Sequence, residues 1–140
     1  MKFNYLTASG VTDSRGKNVK RPLLEIELIG AGGKRLDVLG LIDSGADTTT
    51  MNMQYAHFLG IDLTKARQRE IVGIGNGRVK VLLCNLKVNI KQIDEEIEIP
   101  VWLVDSENVN ILLGQEVFFD TFKIKFEKEN GIFEVVKSKK

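Results

Sequence analysis

The sequence predicts an all-β fold, closed or sandwich-like, with one or two short helices. Three features carry this reading. Nearly every apolar segment is short and rich in β-branched residues, the character of strands. Glycine-bearing turns separate the segments, at Gly30 to Lys34, Gly73 to Gly77 and Asn130-Gly131. No interdomain linker, low-complexity segment or coiled-coil repeat interrupts them, so residues 1–140 are expected to form one domain.

Taken in order, Leu24, Ile26 and Leu28 alternate with Glu25 and Glu27, so one face of this strand is buried and the other wet. After the Gly30 to Lys34 turn, Leu36 and Val38 resume the alternation. Leu39 to Ile42 are continuously apolar, as expected of a strand entering the core. Met53 to Leu59 reads as a short helix stopped by Gly60. Val79 to Ile90 reads as one or two strands, and Ile93 to Val104 as another, with Pro100 marking an edge or bulge. Gln115 to Phe122 reads as a second helix that turns Val117, Phe118 and Phe122 toward the core. Ile124 and Phe126 then face Phe133 and Val135 across Asn130-Gly131, a dipeptide suited to a type I′ turn.

Composition narrows the function classes. Lys plus Arg number 20 and Asp plus Glu 19, a formal charge of +1 that supplies no global pull toward nucleic acid or an anionic membrane. One cysteine, Cys84, cannot form an intrachain disulfide framework or a cysteine-rich zinc site. Met1 to Gly10 lacks the apolar run of a signal peptide, and no stretch is long enough to span a bilayer as a helix, so a cytoplasmic location is expected.

The residues best placed for chemistry start at Asp43, which follows the apolar strand and precedes Ser44, Gly45 and Ala46. A carboxylate there stands at the rim of a core, Gly45 permits a sharp turn, and Ser44 brings a hydroxyl. By itself such a triplet is more often an ordinary turn. Two further pieces accompany it. Ile71 to Val79 is a strand, a glycine-rich tip and a returning strand, suited to opening and closing over a cleft. It is not a phosphate-cradling loop, because no helix start follows and Lys80 lies in a strand. Ile111-Leu112-Leu113-Gly114 echoes Leu41-Ile42-Asp43-Ser44-Gly45, two apolar residues running into a small-residue turn.

In this order and spacing the pieces resemble the retropepsin family of single-domain aspartic peptidases. Leu41 to Thr49 resembles that family's active-site loop, Ile71 to Val79 its flap, and Asn110 to Gly114 the element that threads beside the active-site loop. The resemblance runs from about Pro22 to Phe126. It implies a retropepsin-like closed β-barrel or sandwich acting as a symmetric homodimer, with Asp43 as the catalytic residue of each subunit. It further implies that Ser44 and Gly45 support the loop, and that Leu113 and Gly114 support the site from below. Ala46, Asp47, Gly73, Ile74, Gly75, Asn76 and Gly77 would meet an extended polypeptide substrate. No metal, cofactor, nucleic acid or membrane partner is implied. Gln115 departs from the many retroviral members that carry arginine there, paired with an acidic residue matching Asp47, so the interface must be stabilised differently.

A second reading keeps the fold as a non-catalytic dimeric peptide-binding module, since fold does not guarantee activity. A third is an unrelated small β-barrel whose Asp-Ser-Gly is only a turn. Other residues read as scaffold. The only histidine, His57, lies on the first helix, which leaves Ser44 without a base for serine-nucleophile chemistry. Cys84 reads as a small buried hydrophobe, Trp102 as core or cleft wall, and Glu95 and Glu96 as solvated.

Overall fold

The computed structural model describes residues 1–72, 77–106 and 110–139. Twelve strands form in chain order among these residues. They are β1 (Lys2–Asn4), β2 (Leu6–Thr12), β3 (Asn18–Arg21), β4 (Leu23–Ile29), β5 (Arg35–Ile42) and β6 (Thr49–Asn52). The rest are β7 (Arg67–Val72), β8 (Arg78–Ile90), β9 (Glu95–Val104), β10 (Ile111–Leu113), β11 (Phe122–Glu127) and β12 (Ile132–Lys137). One regular helix, α1 (Met53–Phe58), follows β6.

The largest sheet runs β4-β5-β10-β6-β9-β8-β7, and β4 also pairs with β8. That extra pairing, Ile26 to Ile29 against Lys87 to Ile90, closes six strands into a barrel and leaves β7 projecting as one arm of a hairpin. Closure removes the exposed edges that an open sheet would carry. The 13-residue β8 makes this geometry, because one half of its outer edge pairs with β7 and the other half with β4. β2 and β3 form a separate hairpin, and β1-β12-β11 a small second sheet.

Alternation sets what is buried. Leu24, Ile26 and Leu28 are buried, as are Ile99, Val101 and Leu103 of β9 and Leu86, Val88 and Ile90 of β8. Phe118, Phe122 and Phe133 fill the end of the core nearest the second sheet, with the Phe118 and Phe122 ring centroids 5.5 Å apart. The N-terminus is tied to this end, since Phe3 stacks on Phe133 at 5.3 Å and the Met1 ammonium donates to the Val135 carbonyl at 2.9 Å.

Three local expectations change. Leu39 is 47% exposed, because the inward positions of β5 near its end are Gly40 and Ile42, and Leu39 takes the other face. Residues 115–119 form a distorted turn with wide, π-type hydrogen bonding, not a regular helix, since Glu116 is extended and Val117 has a φ of 67°. The β11–β12 hairpin pairs Phe126 with Phe133 and Ile124 with Val135 as expected. Its loop, however, is a 3₁₀ turn over Lys128–Asn130 with only Gly131 left-handed, so it is not type I′. Pro100 sits inside β9 one residue before the pairing with β6 starts at Val101, so β6 asks no N–H of it. The first helix behaves as read: Asn52 Oδ1 caps it by accepting from the Gln54 amide at 2.9 Å, and Gly60 ends it with a φ of 68°.

Among the described residues, no helix is long and apolar enough to cross a membrane. Since Phe133 is fully buried between Phe3, Tyr5 and the core, Phe133→Ala should cost about 3–5 kcal/mol of stability. The midpoint of a urea transition measures this. A loss below about 1 kcal/mol would mean that the terminal sheet is not part of the folded core.

Candidate active site

The site is built where three strands meet in the order β5-β10-β6. β10 lies parallel to β5, with Ile111, Leu112 and Leu113 opposite Gly40, Leu41 and Ile42. The echo between these two segments is therefore a spatial pairing. On its other edge β10 runs antiparallel to β6, through Leu112 and Thr50. The chain leaving β5 must loop around the end of β10 to reach β6, and that loop is residues 43–48.

Hydrogen bonds fix the loop to β10 from both sides. The Asp43 amide donates to the Leu113 carbonyl at 3.0 Å. The Gln115 amide donates to the Ala46 carbonyl at 2.8 Å, and the Glu116 amide to the Asp47 carbonyl at 2.9 Å. The Gly114 amide donates to Thr49 Oγ1 at 3.1 Å, and Thr49 is the one buried polar residue among those described, at 0% exposure. Gly114 has no room for a side chain. A Cβ there would stand 2.6 Å from the Thr48 carbonyl carbon and 2.8 Å from the Ala46 oxygen.

Within the loop, Asp43 is half-buried and its Oδ1 accepts from the Gly45 amide at 2.9 Å. No hydrogen bond reaches its second oxygen from the described residues. Ser44, Gly45 and Asp47 are exposed, and Ala46 is half-buried. Leu113 is buried below them. Thus Asp43, Ser44, Gly45, Ala46 and Asp47 lie on one loop, packed against Leu113 and Gly114. Gly77 is exposed beside β8, whereas Gly73, Ile74, Gly75 and Asn76 lie outside the described residues.

Gln115 takes up a task the sequence left unassigned. Its Nε2 donates to the Ser44 carbonyl at 2.6 Å, so the residue standing where many retroviral members carry arginine ties down the Asp43 loop from its own chain. Val117 pays for this packing with an unusual backbone, held by its amide donating to Asp120 Oδ2 at 3.2 Å and its carbonyl accepting from Thr121 Oγ1 at 2.7 Å.

The face of the barrel opposite the core extends from this loop. Register places Leu41, Leu112, Thr50, Trp102, Leu83 and Arg67 in one row across β5, β10, β6, β9, β8 and β7. Trp102 is therefore cleft wall, not core. It lines an open cleft of about 460 Å³ with Thr48, Glu116, Pro100, Lys65, Arg67 and Arg69 among its neighbours. Cys84 also reaches this cleft and packs partly against the core, and burial pushes its thiol pKa up, away from the reactive thiolate. His57 is exposed on α1, and Glu95 pairs with Lys137 at 3.2 Å. Sequence reading missed Thr49 and Gln115 as tethers, because their partners lie 65 and 71 positions away and no local pattern announces them.

Residues 32–119 match the family model described as "gag-polyprotein putative aspartyl protease". The chain belongs to that family. Its matched span includes β5, the Asp43 loop, the β7–β8 hairpin, β10 and the turn after Gly114. Among solved structures, a retropepsin-like aspartic protease from Rickettsia conorii is similar at a TM-score of 0.61 and 17% identity, over 97% of this chain and 98% of that one. EIAV protease in an inhibitor complex gives 0.50 and 22%, over 79% and 93%. The retroviral protease-like domain of Ddi1 from Leishmania major gives 0.51 and 16%, over 81% and 87%. At these identities the likeness is one of fold, and the fold is retropepsin-like. Comparison with curated proteins found no match.

Gly114→Ala should destabilise the protein by about 1–3 kcal/mol or more, because the new methyl meets backbone on two sides and neither side can rotate away. Thermal unfolding measures the loss. An unchanged transition would show that the 43–48 loop is not packed against Gly114 in solution.

Proposed function

We propose that the protein is an aspartic endopeptidase working as a symmetric homodimer, with Asp43 of each subunit in one shared site. The observation that carries this reading is the held state of Asp43. Its Oδ1 is anchored by the Gly45 amide, in a loop that β10 and Gly114 lock in place. Family membership over residues 32–119 supports the peptidase class.

The chemistry follows from charge. Asp-Ser-Gly occurs once in the chain, at 43–45, so a second carboxylate must come from a second copy. A two-fold axis beside the exposed Ser44 and Gly45 would set Asp43 against Asp43 of the partner. Two carboxyl groups that close cannot both ionise and share one proton, a behaviour for which aspartic proteases are the standard example. The ionised member takes a proton from a water held between them, and that water attacks the scissile carbonyl. The protonated member hydrogen-bonds the carbonyl oxygen as negative charge develops there.

In this scheme Ser44 links the two loops across the axis, and Gly45 offers backbone to the substrate. Ala46 and Asp47 line the floor and hold the extended chain. The β7–β8 hairpin, with Gly73 to Gly77 at its tip, closes over the peptide as a flap and excludes water. Substrate lies as an added strand between flap and floor, so exposed extended segments of polypeptide are the targets. Gln115 holds the loop from within each subunit, a task that depends on no ion pair.

The test is incubation with an unfolded protein at mildly acid pH. Cleavage is expected, blocked by a statine-type transition-state mimic. Asp43→Asn should lower the rate at least about a hundredfold while leaving the thermal transition near that of the unsubstituted protein. Peptide binding without any cleavage would point to the binding-module reading. Undiminished cleavage by the Asn variant, with contamination excluded, would remove Asp43 from the mechanism.

A further inference from the structure

We infer that the cleft beside Trp102 selects substrates carrying acidic side chains several residues from the scissile bond. This rests on the peptidase reading only for the word substrate, because the cleft itself can be tested by binding alone. Lys65, Arg67 and Arg69 line it, and all three are exposed. Arg67 and Arg69 sit two apart on β7, so both side chains leave the same face of that strand. The same strand's Glu70 leaves the other face and pairs with Arg78 at 3.4 Å. None of the three cleft cations forms an ion pair with a carboxylate among the described residues. The carboxylate that lines the cleft, Glu116, stands with Thr48 at the end where the cleft joins the Asp43 loop.

A chain with a formal charge of only +1 has thus gathered in one concavity three cations that are unpaired among the described residues. Converging like charges repel, so their arrangement is relieved by an anionic occupant. The shape fits a peptide. The cleft is open, is lined by the indole and Pro100, and shares Trp102 with the row Leu41, Leu112, Thr50 and Trp102. At about 4.8 Å per strand, the four strand spacings from β10 to β7 give at most about 20 Å, or about six residues of extended peptide. Acidic side chains within that reach of the scissile bond would lie over Arg67 and Arg69 while the peptide backbone passes Asp43.

Trp102 is the single tryptophan of the chain, so its fluorescence reports on the cleft without any need for turnover. The experiment titrates the Asp43→Asn protein with acetyl-(Glu-Ser)4-amide and with its uncharged counterpart, acetyl-(Gln-Ser)4-amide. The acidic peptide should bind about tenfold more tightly, and the preference should shrink between about 50 mM and 0.5 M salt. Replacing Lys65, Arg67 and Arg69 by Gln should abolish it. Equal binding of the two peptides, absence of binding, or a preference that survives the triple replacement would each overturn the inference. Cleavage mapped on a peptide library separates the two proposals. Cuts without acidic enrichment within about six residues sink the cleft inference and leave the peptidase standing. Charge-selective binding without cuts sinks the peptidase and leaves the cleft an acidic-peptide site.

Discussion

The contact between Gly114 and the backbone of the 43–48 loop sets the rest of the site. Carbonyls of Ala46 and Thr48 occupy the space where a side chain would begin, and the amides of Gln115 and Glu116 reach the Ala46 and Asp47 carbonyls. This closeness is available only because β10 threads between β5 and β6, which brings two turns distant in sequence onto one another. Once the loop is pinned there, Asp43 has little freedom. Its amide is held by Leu113, and one carboxylate oxygen is held by Gly45. A reactive group kept in position before substrate arrives needs little further ordering to work. The hydrogen bond from Gln115 to Ser44 and the unusual turn at Val117 serve the same packing.

Much of this was legible in the sequence, and for identifiable reasons. Period-two alternation in Leu24 to Leu28 reports burial on one face directly, and those positions are buried. The two apolar turns echo each other because both are buried strands ending in small residues, and they pair in parallel, a juxtaposition that only the family resemblance implied. Leu39 misled because a continuous apolar run does not say which face is covered, and here Gly40 took the inward place. The second helix failed because propensity cannot foresee that residues 115 and 116 are committed to a loop some 70 positions earlier. Asn130-Gly131 carried a hairpin signal, but the loop is longer than two residues and only Gly131 needs the left-handed region.

The cleft beside Trp102 was hidden for a related reason. No local pattern singles out Lys65, which precedes β7, or Arg67 and Arg69 on it, and only the pairing of β7 with β8, and of β8 with β9, sets them beside the indole. The proposed catalytic loop is recognisable by local chemistry, whereas the proposed specificity surface is assembled across strands. The likeness to solved retropepsin-like structures is one of fold at 16–22% identity, so selectivity has to be argued from this chain's own side chains.

In the proposed mechanism one catalytic carboxylate per chain would make the partner subunit part of the active site, and mixing subunits tests that most directly. Equal amounts of the unsubstituted protein and Asp43→Asn are allowed to exchange fully, at concentrations where dimers dominate. Random pairing leaves about a quarter of dimers with both aspartates, about half of what the unsubstituted protein forms alone. The cleavage rate should therefore fall by about half, and further as more of the Asn variant is added. A rate indifferent to the added variant, after exchange has been demonstrated and substrate sequestration corrected for, would contradict a site shared between two copies of Asp43.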